Sequence, residues 1–384
     1  MGRLGNRRTG LFAAAGVVGV AMIAIVVAAM SSSSPPPVTA VTVTTLGLAP
    51  TGSSSSAEHA NLAHLSAVSC PRPSSCIGVG ATSQGRGGAV MTSDGGRTWQ
   101  SVAVPGSSRA LMSVSCLHQR LCVAVGDDTI IRSTDSGHTW RAVGHDVPDQ
   151  PILSVDCTGS DECITAGFDP STQGAARGEI DRSMDGGQTW QSVALPGAVF
   201  GLGSVECPTS LECIAVGDSI FVTHDAGFTW QPGSVPLGFS TLSSVSCADS
   251  QDCVAVGPNA TAASDTNAPA NAISTQDGGL TWQPVTMPLA TGSIRTVSCA
   301  DDRCVAAGSG LAVGQPAVFV TKNATGSSFH QAQGPPSMTE VGDVLCRPSL
   351  GCISVGAGSN RALIATMHTG TSSWSLAHLA KVSR

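Results

Sequence analysis

Apolar residues along this chain recur in short alternating runs rather than at helical spacing. Leu111-Met-Ser-Val-Ser-Cys116 and Cys122-Val-Ala-Val-Gly126 are representative. A period of two predicts half-buried strands, and the brief gap between the runs predicts a tight hairpin. The same unit surrounds every cysteine. All 14 cysteines fall into seven pairs: Cys70 with Cys76, Cys116 with Cys122, Cys157 with Cys163, Cys207 with Cys213, Cys247 with Cys253, Cys299 with Cys304, and Cys346 with Cys352. Downstream of five pairs lies a second motif, [ST]-x-D-x-G-x-T-W, at Thr92–Trp99, Ser133–Trp140, Ser183–Trp190, Thr223–Trp230 and Thr275–Trp282. Two worn copies, Thr321…Asn323…Phe329 and Thr366…His368…Gly370…Trp374, lack the aspartate and complete a set of seven.

Spacing separates the fixed parts of the repeat from the variable ones. From Asp94 to Cys116, Asp135 to Cys157, Asp185 to Cys207, Asp225 to Cys247 and Asp277 to Cys299 the step is always 22 residues. From the second cysteine of a repeat to its own aspartate it is 18, 13, 22, 12 and 24 residues. A constant step implies a constant strand–loop–strand path, whereas a changing one implies an exposed loop that accepts insertions. Residues 62–384 divided among seven repeats give about 46 each, the size of one four-stranded propeller blade. The predicted fold is therefore all-β, a seven-bladed β-propeller of four-stranded blades.

The second motif resembles the Asp-box, or bacterial neuraminidase repeat, of sialidases, xyloglucanases, sortilin-type receptors and photosystem II assembly-factor propellers. Asp135-Ser-Gly-His-Thr-Trp140, following Val125-Gly-Asp-Asp-Thr-Ile-Ile-Arg-Ser133, looks most like the last of these. The resemblance covers residues 62–384 and implies that each box joins a blade's third and fourth strands. The chemistry of the residues agrees. The carboxylate can accept hydrogen bonds from turn amides, the glycine can take positive φ, and the tryptophan offers a large packing face. Asp94, Trp99, Asp135, Trp140, Asp185, Trp190, Asp225, Trp230, Asp277 and Trp282 are accordingly read as structural residues, not as catalytic or metal-binding ones.

Six cysteine pairs are C-x5-C and one is C-x4-C. Across a hairpin that spacing brings Cα atoms to roughly 4.5–5.5 Å, within reach of a disulfide. Zinc sites and thioredoxin-like redox chemistry use shorter spacings, so seven local disulfides and no metal are expected. Such staples suit an exported protein whose blades are built from small Ala, Val and Gly.

Composition supports a turn-rich β protein: 41% hydrophobic, 12% charged, 45 Gly and 22 Pro. Residues 11–30 (LFAAAGVVGVAMIAIVVAAM) are uncharged and long enough to cross a bilayer once. Arg3, Arg7 and Arg8 precede them, which places residues 1–10 in the cytoplasm and the rest outside. An uncleaved signal-anchor is expected, with a cleaved signal peptide and a secreted chain as the alternative. Residues 31–61 read as a Ser/Pro-rich linker in which Val38–Leu46 could add a strand to the ring. Otherwise blade seven, ending in Trp374–Lys381, would close it by packing alone.

The net charge is −7, and −10 without the three N-terminal arginines, with only Lys322 and Lys381 as lysines. No cation stripe exists to neutralise phosphates, so nucleic acid is not an expected partner. The resemblance to the assembly factors implies binding of partner proteins through a basic patch on the propeller, which an acidic ectodomain does not match. The absence of tyrosine removes the sialidase nucleophile, and no P-loop, H-E-x-x-H or G-x-S-x-G is present. No cofactor is implied.

In propeller topology the disulfide hairpins and boxes share one face, and the variable loops between second and third strands occupy the other. Those loops are long in Thr82–Gly88, Phe168–Glu179, Pro258–Asn271 and Ser309–Pro316. Arg86, Asp169, Arg177, Glu179, Asp181 and Asp265 are the candidate binding residues there. The leading expectation is a membrane-tethered, monomeric binding or assembly scaffold with a protein or glycan partner. A polysaccharide hydrolase or lyase using loop carboxylates is the enzymatic alternative, since it needs only two carboxylates about 5–10 Å apart. A stapled ring that is only presented at the surface is a third reading.

Overall fold

The computed structural model divides the chain into Met1–Pro37 and Val38–Arg384. It describes residues 62–379, except 107, 118–119, 145–150, 160, 171–176, 198, 237–238, 240, 259–270, 289–292, 302, 311–313, 322–327, 349, 359–360 and 369–372. The expected membrane span, the linker and Val38–Leu46 lie outside the described residues. Among the described residues no helix is long and apolar enough to cross a membrane.

The described strands form seven sheets, each an antiparallel meander of strands A to D in chain order, with a fifth strand added to the first. Blade 2, for example, runs Leu111–Cys116, Cys122–Gly126, Thr129–Ser133 and Arg141–Val143. Blade 3 runs Ile152–Thr158, Glu162–Asp169, Arg177–Ser183 and Gln191–Val193. The A strands of successive blades touch one another around the ring, and that of blade 7 (Met338–Arg347) touches that of blade 1 (Leu62–Arg72). Seven blades thus surround a common axis, as the repeat count predicted.

Packing follows from the period-two pattern. Each strand sends alternate side chains to the blade before and the blade after, so both sheet faces are apolar. The core is accordingly seven separate hydrophobic clusters, one in each seam between blades. An aromatic residue from each box fills the seam with the preceding blade. Trp140 packs with Ile77 and Val79 of blade 1, and Trp99 packs with Ile353 and Val355 of blade 7. The worn copies keep this function, with Phe329 in the seam between blades 5 and 6 and Trp374 in the next.

All seven expected disulfides are present, with the partners the spacing predicted. Cys70 is bonded to Cys76, Cys116 to Cys122, Cys157 to Cys163 and Cys207 to Cys213. Cys247 is bonded to Cys253, Cys299 to Cys304 and Cys346 to Cys352. Their Cα–Cα distances are 3.9–4.1 Å, which corrects the wider cross-strand separation expected from the sequence. The reason is register: in blades 2, 3, 5, 6 and 7 the two cysteines are directly opposed partners, and the bridge draws them closer than unbridged neighbours. No cysteine is left free to bind a metal or to exchange.

Blade 7 packs against blade 1 through a shared hydrophobic cluster, and a further link the sequence did not show ties the two together. After the D strand of blade 7, Ser375–Leu376, the chain continues as His378–Leu379 and pairs in parallel with Thr98–Trp99 of blade 1. Blades 4 and 5 make the same reach, Ser234 bridging Thr281 and Thr286 bridging Ser328. Closure therefore reuses a link already made between other blades.

Candidate functional site

In each intact box the aspartate is consumed by its own turn. Asp94 Oδ1 accepts from the Arg97 and Thr98 amides, both at 3.0 Å, and Oδ2 accepts from Thr98 Oγ at 2.6 Å. Burial would raise its pKa, but these bonds and that from Thr92 overcome it and hold the carboxyl at about 2. Asp135 repeats the arrangement and the value. The box then hangs on the disulfide hairpin of its own blade: the Ser136 amide donates to the Arg120 carbonyl and the Gly186 amide to that of Asp161.

A second set of acids lies near the axis. The residue preceding each first cysteine reads Ser69, Ser115, Asp156, Glu206, Ser246, Ser298 and Leu345. The first six accept a hydrogen bond from the first cysteine amide of the next blade, at 2.8–3.2 Å. At the seventh junction leucine cannot accept, and Asp343, two residues earlier, receives the Val68 amide at 3.0 Å. Asp343 also accepts from Thr296 Oγ at 2.7 Å, so it ties blades 6, 7 and 1 together. Burial pushes the Asp156 carboxyl up to about 6 despite three hydrogen bonds. Burial and the charge of Asp156 push Glu206 up to about 8. The Arg347 charge of blade 7 acts on both in the opposite direction, lowering them.

The sequence-predicted binding residues are only partly brought together. Arg177, Glu179 and Asp181 alternate along strand C of blade 3, where Arg177 is the cross-strand partner of Asp169 and Asp181 that of Thr165. These residues share the sheet face toward blade 2. Arg86 lies apart, on the blade 1 loop whose backbone bridges Arg109. Asp265 falls outside the described residues.

Blade 3 breaks the apolar pattern of its strand. The position of Asp181 is held by Val90, Ile131, Phe221, Ile273, Phe319 and Ala365 in the other blades. Yet Asp181 is only 8% exposed. Glu179 accepts a hydrogen bond from Ser192 Oγ at 3.1 Å through Oε1, while its buried Oε2 has no hydrogen-bond partner among the described residues. Burial, then the neighbouring Asp181 and Asp169 charges, push the Glu179 carboxyl up to about 7 against the Ser192 bond and Arg177. Glu179 and Asp181 thus place two carboxylates on the face of blade 3 toward blade 2. Among the described residues no group of three His, Cys, Asp or Glu side chains could hold a metal ion.

Sequence reasoning missed the axial acids, although the aligned column before each first cysteine carries the signal. It also missed that Asp181 stands in a core column.

No family model matches the chain, and no curated relative does either. Solved structures give its architecture. YCF48 bound to D1 peptide superposes with a TM-score of 0.53 at 16% identity, over 79% of this chain and 93% of that one. YCF48 from Cyanidioschyzon merolae gives 0.54 at 15%, over 79% and 95%. The GH74 xyloglucanase from Xanthomonas campestris gives 0.59 at 13%, covering 82% of this chain and 54% of the enzyme. This chain is a seven-bladed β-propeller with those folds among its structural neighbours.

Proposed function

We propose that this protein is a membrane-tethered, extracytoplasmic propeller that works as a non-catalytic binding or assembly scaffold for a polypeptide partner. The observation that carries this reading is where the carboxylates go. Box acids are saturated by turn amides, and the axial acids by amides of the next blade. Acidic side chains here build a rigid ring, and a rigid ring offering two broad faces is suited to docking. A YCF48 propeller of the same fold holds a peptide, which supports a polypeptide over a small molecule. Residues 11–30 supply the tether, and the paired cysteines fit an oxidising compartment. No cofactor and no nucleic acid enter this reading, and the protein acts as a monomer.

One observation favours a second reading. Glu179, held near pH 7 beside Asp169 and Asp181, has the pKa of a general acid next to carboxylates that could serve as base. On that reading the chain is a polysaccharide hydrolase or lyase. The test is incubation with an envelope and exopolysaccharide fraction, assayed for newly released sugar. The scaffold reading expects no release, and membrane-protein partners recovered by cross-linking. Release that disappears in Glu179→Gln, with no fall in melting temperature, would establish the enzyme instead.

A further inference from the structure

Five large apolar side chains are exposed among the described residues, and four share one stretch of the ring. Met184, Leu211, Phe228 and Leu280 are 46%, 56%, 57% and 38% exposed, and all four belong to disulfide or box hairpins of blades 3, 4 and 5. Backbone hydrogen bonds and a ring contact tie the neighbouring hairpins of this stretch together. The Ala226 amide donates to the Leu211 carbonyl, which fastens the blade 4 box to its disulfide hairpin. The Arg182 guanidinium of blade 3 sits 3.4 Å from the centroid of the Phe228 ring and supports it from beneath. The Ser234 amide of blade 4 donates to the Leu280 carbonyl of blade 5.

Charge follows the same sectors. The disulfide hairpins of blades 3, 4 and 5 carry Asp161, Glu162, Glu212, Asp249 and Asp252 and no Lys or Arg, and the boxes of these blades add no Lys or Arg, with His224 of the blade 4 box 3.8 Å from Glu212. The hairpins of blades 7, 1 and 2 carry Arg347, Arg72 and Arg120 and no acid. Because the ring orders the blades, this face has one acidic, apolar sector and one basic sector, with blade 6, whose hairpin carries Asp301, Asp302 and Arg303, between them on one side. Among the described residues the basic sector holds none of the exposed large apolar side chains. A second copy laid face to face would therefore match the charges but leave Met184, Leu211, Phe228 and Leu280 against an unsuited surface. A segment bearing both Lys or Arg and apolar side chains satisfies both features of the sector at once.

The geometry points to the disulfide-hairpin face of blades 3 to 5 as the docking surface for a basic, amphipathic polypeptide segment, the apolar side chains seating on Leu211 and Phe228 between hairpin carboxylates. This rests on the scaffold reading and places its contact on the face opposite the variable loops.

The test adds a synthetic peptide of Lys and photo-leucine to the full chain in phosphatidylcholine nanodiscs, then maps cross-links by mass spectrometry. A Glu/photo-leucine peptide and empty nanodiscs are the controls. Cross-links are expected around residues 184, 211, 228 and 280, with yield falling about tenfold in Leu211→Ser/Phe228→Ser and in Asp161→Asn/Glu212→Gln/Asp249→Asn. Asp128→Asn/Asp218→Asn, in the turns between second and third strands on the opposite face, should leave the yield unchanged. Cross-links centred elsewhere, equal labelling by the acidic peptide, or yields unmoved in the patch variants would overturn the assignment. So would cross-links from this patch to a second copy of the chain. Failure here leaves the scaffold reading standing, because that reading is decided by sugar release and partner recovery.

Discussion

A single aspartate organises each box, and its substitution should act locally. In Asp135→Ala the Thr139 amide and hydroxyl lose a charged acceptor, and the expected loss is about 2 kcal/mol, read by chemical denaturation. The box glycine has two reasons for its identity, of which only one is visible in a single copy. Gly137 has φ of 85°, and a Cβ there would also overlap the Ile77 side chain of blade 1. Gly137→Ala is therefore expected to cost about 2–4 kcal/mol, the sum of left-handed strain and overpacking of a seam. A loss under about 1 kcal/mol would mean that blades 1 and 2 slide apart more easily than their packing implies. Box motifs and glycine φ were readable in the chain; the contact with Ile77 was not, because it joins neighbours whose distance depends on the ring.

At the level of elements, the hairpin disulfide and the box act as one unit, since the box hangs on a hairpin carbonyl in the same blade. A loop this short gives each bridge about 2 kcal/mol by chain entropy. Replacing Cys116 and Cys122 together with Ala should lower stability by that amount and loosen the blade 2 box with it. Amide exchange at Gly137, whose N–H is held by Ser133 Oγ at 2.9 Å, reports the second effect. The third strand of blade 3 is the element in which the repeat is broken. Its hydrophobic seam with blade 2 receives no buried apolar residue from that strand, because Glu179 and Asp181 take the inward positions. Glu179 carries a pKa near 7, so the folded state keeps its proton after the unfolded chain has lost it. Stability from this group is complete below about pH 4.5 and fades as pH rises through 7. Glu179→Gln should flatten that part of the profile. An unchanged slope of melting temperature between pH 5 and 7 would count against the buried-carboxyl assignment.

The whole ring couples these groups. Asp156 and Glu206, raised to about 6 and 8, give the same sign as Glu179: stability falls as pH rises from about 4 to 8. The box acids give the opposite sign, since Asp94 and Asp135 at about 2 withdraw their contribution as pH falls below 3.8. Together they place maximal thermal stability near pH 4–5, which a scan of melting temperature against pH would check. Closure has its own dependence. Asp343 replaces the missing acceptor at Leu345 and holds the Val68 amide across the last junction. Asp343→Val should cost about 2–3 kcal/mol and raise amide exchange first along Leu62–Arg72. Ending the chain after Leu376 removes the pairing of His378–Leu379 with blade 1 and should loosen the same seam.

Blade number, strand order and disulfide partners were legible in the sequence because each is a local property. A hairpin, its staple and its box lie within about fifty residues, and repetition shows them seven times. Of the candidate site, Asp169, Arg177, Glu179 and Asp181 were found together because they flank one loop, while Arg86 belongs to another seam. Other features depend on residues roughly a blade or more apart in the chain. The ring of amides received by Ser69, Ser115, Asp156 and Glu206 needs the A strands side by side around an axis. The acidic, apolar sector needs blades 3, 4 and 5 to be neighbours on one face. Closure needs the last residues to meet the first blade. Only the tertiary structure decided these, because circular order and the distance between blades are set by packing in seven seams, and no single repeat contains a seam.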